Sequence, residues 1–114
     1  MKISRVDSDD HAVVQVEGSL SVENLSQFEE ELQGALKKGL HILIDLENLV
    51  FIDSSSLGVI VVFYTKLQAQ KKHLILLNVS REINEMFSIT GLSKRVKMSS
   101  SLDAALEHIR SNEL

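Results

Sequence analysis

A polar tetrad, Asp53-Ser54-Ser55-Ser56, stands between two apolar runs and constrains how the middle of the chain can fold. Val50, Phe51 and Ile52 lead into it. A long apolar segment, 57–67, leaves it, interrupted only by Gly58, Thr65 and Lys66. Asp and Ser cap helix N-termini, because a side-chain oxygen accepts a bond from an otherwise orphaned backbone N–H. The tetrad therefore reads as a loop turning into a helix, with hydroxyls at the helix's positive end. Such an end favours anions, phosphate included.

The apolar segment alone is open to two readings. Val59, Ile60, Val61, Val62, Phe63 and Tyr64 are β-formers and equally suit a buried strand. The capping serines and the helix-compatible tail at 65–72 favour a helix. Leu57, Ile60, Val61, Tyr64 and Leu67 then form one stripe at i, i+3, i+4, i+7 spacing. Val59, Val62 and Phe63 lie off it, so the surplus apolar surface must meet either the core or a partner.

The flanking sequence supplies the rest of an α/β domain. Segments 2–6 and 11–17 alternate apolar and polar, with Ile3, Val14 and Val16 pointing inward and Asp7-Ser8-Asp9-Asp10 as turn material. They read as a half-exposed hairpin ended by Gly18. Ser21 is placed to cap a helix over 22–38, whose stripe is Leu25, Phe28, Leu32, Ala35 and Leu36. Lys37, Lys38 and Gly39 suit its C-terminus. Ile42-Leu43-Ile44 and Leu74-Ile75-Leu76-Leu77 read as central strands covered on both faces. Ser80 caps a helix carrying Ile83, Met86 and Phe87 and closed by Gly91. An edge strand at 96–98 follows. Ser100-Ser101-Leu102-Asp103 fits a capping box before a last helix with Leu102, Ala105, Leu106 and Ile109. The expected order is ββαβαβαβα: a mixed four- to five-stranded sheet with about four helices, one domain over 1–114.

Composition narrows the function. The net charge is −4, with 12 Lys and Arg against 16 Asp and Glu, which argues against nucleic acid. No cysteine is available for disulfides or a thiolate zinc site. No run approaches the ~18 apolar residues of a membrane span, and the N-terminus lacks the apolar stretch of a signal peptide. A cytoplasmic protein with no membrane insertion is expected. A serine nucleophile needs a base within reach. The histidines are His11, His41, His73 and His108. His41 and His73 precede parallel strands, at the end opposite a loop that follows a strand. A non-enzyme is expected, with neither metal nor cofactor.

Asp53-Ser54-Ser55-Ser56-Leu57-Gly58-Val59 resembles the D-S-[ST]-G-L-G-V signature of bacterial anti-sigma-factor antagonists, which are single STAS domains. Gly18-Ser19-Leu20 resembles that family's G-x-L after the second strand, and Phe87-Ser88-Ile89-Thr90-Gly91-Leu92 its F-x-x-[ST]-G-L. The resemblance runs the length of the chain and implies the STAS fold. It also implies a partner-switching role in transcription regulation. The unphosphorylated protein would bind an anti-sigma factor that is also a serine kinase, and phosphorylation would release it. A serine phosphatase of the PP2C type would reset the switch. By this resemblance Ser54 is the phosphorylated residue and Ser55 the next candidate, with Asp53 positioning the loop or the kinase. The expected docking face comprises Asp53, Ser54, Ser55, Ser56, Val59, Val62 and Phe63, with Gly18, Leu20 and Ser21. Two positions depart from the pattern. Ser56 replaces the usual glycine, which restricts the loop and adds a third hydroxyl. Ser21 replaces a frequent aspartate. The alternative is a STAS subunit that never cycles phosphate, a scaffold or part of a lipid-transport complex.

Overall fold

The computed structural model describes residues 2–112, so the ends of the expected domain, 1 and 114, lie outside the described residues. In chain order the elements are β1 (Lys2–Asp7), β2 (His11–Leu20), α1 (Leu25–Lys37), β3 (His41–Asp45), β4 (Leu49–Ile52), α2 (Ser54–Ala69), β5 (Leu74–Leu77), α3 (Arg81–Thr90), α4 (Leu92–Arg95), β6 (Lys97–Ser99) and α5 (Leu102–Ser111). The fold is α/β with a mixed sheet, as expected, but the sheet has six strands, and the order gains β4 and the single-turn α4.

The sheet runs β1-β2-β3-β5-β6, with β4 beside the far half of β2. β1 is antiparallel to β2, and the other pairings are parallel. β2 is the spine. His11 pairs with His41 at its start and Leu20 with Ile52 at its end. Between these points Gly18 pairs with Leu49 but Ser19 with Phe51, which leaves Val50 bulged out. Gly18 takes φ 86°, a conformation open to glycine and costly for most residues, so it kinks β2 and does not end it.

Helices cover the two faces unequally. The larger core joins Val14, Val16, Ile42, Ile44, Leu74 and Leu76 of the sheet to Phe28 and Leu32 of α1, Ile60 and Leu67 of α2, and Phe87 of α3. On the other face α5 alone packs, through Ala105 and Ile109, on Leu43, Ile75 and Leu77. This explains the unbroken apolar runs of β3 and β5, whose residues are covered on both sides.

Local signals mostly hold. Ser80 Oγ accepts from the Ile83 N–H at 3.2 Å, and Gly91 closes α3 in the left-handed region at φ 80°. Three differ. α1 starts at Leu25 after Asn24, and Ser21 is not its cap: the Ser21 N–H instead donates to Asn24 Oδ1 at 2.9 Å in the preceding turn. Ser101, not Ser100, caps α5, accepting from the Ala104 N–H at 3.1 Å. β6 begins one residue later than expected, at Lys97.

Candidate functional site

Asp53 is the N-cap of α2, in extended backbone at φ −96°, ψ 172°. Oδ1 of its carboxylate accepts the Ser56 N–H at 2.9 Å and the Ser56 hydroxyl at 2.8 Å. Oδ2 accepts the Val22 N–H at 2.9 Å. The Asp53 N–H donates to the Leu20 carbonyl at 3.1 Å. One residue thus fastens the end of β2 and the turn before α1 to the start of α2. Donors to a carboxylate stabilise its charged form. The Ser56 N–H, then the Ser56 hydroxyl, hold the Asp53 carboxyl below its ordinary 3.8.

The serines are not equivalent. Ser56 is 0% exposed, and its hydroxyl is spent on Asp53. It falls in phase with Ile60, Phe63 and Leu67, which the core buries. Burying each such side chain stabilises by about 1.5–3 kcal/mol, more than the ~1 kcal/mol of a cap, so the apolar stripe sets the phase of the first turn. Ser56 therefore offers no accessible third hydroxyl. It also sits in regular helix and has no positive φ, so the usual glycine is not needed there. Ser54 and Ser55 are exposed. Among the described residues, the Ser54 hydroxyl makes no hydrogen bond.

The expected docking face must be corrected at two further positions. Leu20 is 0% exposed and Phe63 only 4%. Leu20 continues the inward alternation of Val14 and Val16, and Phe63 belongs to the buried stripe of α2, with Val61 and Tyr64 only partly buried beside it. Val62 is exposed and Val59 half-buried. Both, with the small exposed edge of Phe63, line a groove of about 630 Å³ between α1 and α2, across from Glu29, Glu30 and Lys37. Gly18 and Ser21 are partly exposed, at the same end of the sheet as Asp53. Sequence reasoning missed three exposed apolar side chains there: Val22, Val50 and Phe51, at 68, 76 and 46%. Val50 and Phe51 were legible as a β-forming run before the tetrad, but their exposure comes from the bulge and from β4 being an edge.

Ser54 also lines a smaller groove of about 190 Å³ with Leu57, Gly58, Val61, Thr90, Leu92 and Arg95. No histidine lines it. His11 and His41 start β2 and β3, and His73 precedes β5, so they lie at the other end of the sheet. β2 alone spans ten residues, roughly 30 Å. Ser54 thus has no imidazole base among the described residues. No described group of His, Asp and Glu could hold a metal, and no described helix is long and apolar enough to cross a membrane.

Comparison with known proteins agrees with this architecture. The STAS domain family profile matches residues 2–105. An anti-sigma-B factor antagonist of Staphylococcus epidermidis is 34% identical over 93 residues, covering 81% of this chain and 86% of that protein. A Thermotoga maritima crystal structure described as an anti-sigma factor antagonist superposes with TM-score 0.86 at 26% identity, over 95% of this chain and 94% of that one. The Bacillus cell fate determinant SpoIIAA, in its phosphorylated form, shares the fold at TM-score 0.74 and 23% identity, over 96% of this chain and all of its own. Profile, relative and fold agree with one another, and the chain belongs to the STAS domain family of anti-sigma factor antagonists.

Proposed function

We propose that this chain is a phosphorylation-gated partner switch acting in the cytoplasm, with residues 1–114 working as one domain. Unmodified, it binds an anti-sigma factor that is also a serine kinase, and so releases that factor's other client. The kinase transfers the γ-phosphoryl group of its ATP to Ser54 Oγ, the hydroxyl proton leaves, and ADP is the product. The modified chain then dissociates, and a PP2C-type phosphatase hydrolyses the phosphoester to reset it. Ser55 is the second candidate acceptor. The chain itself supplies no catalytic group and no cofactor.

The observation that carries this reading is the spare hydroxyl. Asp53 and Ser56 make the cap between them, which leaves Ser54 exposed at the first position of α2. A phosphate there adds about −1.5 to −2 charges beside a helix N-terminus that tolerates them, so the fold survives modification. A partner docked over the same surface does not tolerate them. Burying an uncompensated charge costs ~3–5 kcal/mol, a hundred- to several-thousand-fold in affinity. The docking face is built from Asp53, Ser54, Ser55, Val59 and Val62, with Gly18 and Ser21, and extends over the exposed Val22, Val50 and Phe51. Leu20, Ser56 and Phe63 support it from beneath.

A phosphopeptide map of the chain co-expressed with its host's kinase tests the acceptor. Phosphate on Ser54 is expected. Its absence from both Ser54 and Ser55 sinks the switch and leaves a scaffold or a transport-complex subunit.

A further inference from the structure

Far from Ser54, at the N-terminal ends of the parallel strands, the chain gathers its imidazoles. The rings of His41 and His73 lie 5.4 Å apart, and those of His73 and His108 5.7 Å, edge to face. The His73 backbone N–H donates to His41 Nδ1 at 2.9 Å, and His73 Nε2 donates to the Asn112 carbonyl at 2.8 Å. Beside them is a recess of about 160 Å³. Lys72 and His73 reach it from the α2–β5 connection, Arg95 from α4, Lys97 from β6 and His108 from α5, and Tyr64 of α2 supplies a hydroxyl. No carboxylate among the described residues lines it, although acidic residues outnumber Lys and Arg in the whole chain, 16 to 12. Among the described residues, Lys72, Arg95 and Lys97 have no ion-pair partner.

We propose that this recess is a binding site for a small soluble phosphate-bearing anion, which shares Arg95 with the groove beside Ser54 but does not depend on the switch reading. Cations brought together without counter-charge raise a local positive potential, which an oxyanion relieves. Burial first, and then the neighbouring Lys97 and His73, disfavour the His108 imidazolium, so that its pKa lies below the ordinary 6.5. The lining matches phosphate: the ammonium and guanidinium groups supply charge, and the His108 ring and the Tyr64 phenol supply directed hydrogen bonds, the His73 Nε2–H being engaged by Asn112. A competing account is that cations collect near helix C-termini, and α2 and α5 do end at this pole. It does not reach Lys97, which stands in β6, and Arg95 ends only the single-turn α4.

The test is a titration of the full-length protein with inorganic phosphate, following the His108 ring by NMR at constant ionic strength set with sodium chloride. A saturable shift in the millimolar range is expected, with the His108 pKa rising as the bound anion favours imidazolium. The Lys72→Gln/Lys97→Gln pair should weaken the affinity by about fivefold or more per charge removed. This pair avoids Arg95, which also lines the groove beside Ser54. Protection against thermal unfolding by phosphate, present in the parent and lost in the pair, gives a second readout if the ring signals overlap. A response no larger than that to chloride, or equal phosphate affinity in parent and variant, overturns the site. Co-sedimentation with vesicles of phosphatidylcholine containing phosphatidic acid, abolished in the same variant, would overturn the assignment to a soluble ligand.

Discussion

The two ends of the sheet use polar side chains in opposite ways. At the C-terminal end, one carboxylate takes three donors, and two serine hydroxyls nearby are left exposed. At the N-terminal end, imidazoles touch one another amid lysine and arginine, and no acid among the described residues lines the recess. Hydroxyl acceptors and proton-accepting rings are thus kept apart by the length of β2. A chain with serines and histidines in one site could activate its own nucleophile. Here the separation leaves the hydroxyls to another protein's chemistry. One end is a surface that a charge can spoil, and the other holds a recess with no carboxylate among its described lining residues.

The largest expected effect tests whether the two ends are functionally separate. Ser54→Asp should lower affinity for the anti-sigma factor at least about a hundredfold, the penalty of an unpaired charge under a docked partner. Lys97→Glu adds negative charge at the other end, and should leave that affinity within about threefold. Equal losses in a pull-down or calorimetric series would mean that docking covers both ends. Next in size is the division among the serines. Ser56→Ala removes a buried hydroxyl that bonds to Asp53, and should cost about 1 kcal/mol in urea unfolding. Ser54→Ala and Ser55→Ala should stay within about 0.5 kcal/mol of the parent. A Ser54→Ala cost as large as that of Ser56→Ala would show that the Ser54 hydroxyl is part of the cap.

The smallest effects are in pH, and they separate the ends again. His108 has a folded pKa below 6.5, so the unfolded chain binds its proton first. Its contribution is full above 6.5 and is lost as pH falls from there through the folded value. Asp53 also has a depressed pKa, relative to 3.8. Its contribution persists to far lower pH, and fades only below 3.8 as pH falls through the folded value. Thermal melts across pH 3–7 should therefore show His108→Gln flattening the upper window and Asp53→Asn the lower one. Each variant flattening the other's window would break the assignment.

What could be read in the sequence was whatever is decided within a few residues. Asp53, Ser80 and Gly91 do their capping work with neighbours three or four positions away, so residue type and spacing suffice. The runs of β3 and β5 announce two-sided burial directly. β4 was hidden because it has four residues, with two exposed between two buried, and its partner β2 lies some thirty positions earlier. The face of α2 was misjudged because nearly every position is apolar, so periodicity alone cannot choose among stripes. Counting back from the buried Leu67 through Phe63 and Ile60 leads to Ser56 and would have singled it out. Leu20 was legible too, as the continuation of the Val14 and Val16 alternation, but Gly18 reads as the end of the strand and stops the count.

The most direct measurement compares the chain before and after stoichiometric phosphorylation, titrated by calorimetry into its host's anti-sigma factor, with circular dichroism recorded on both forms. The expectation is an unchanged spectrum, phosphate mapped to Ser54, affinity reduced at least about a hundredfold, and full recovery after phosphatase treatment. Tight binding that persists with Ser54 phosphorylated would contradict the account.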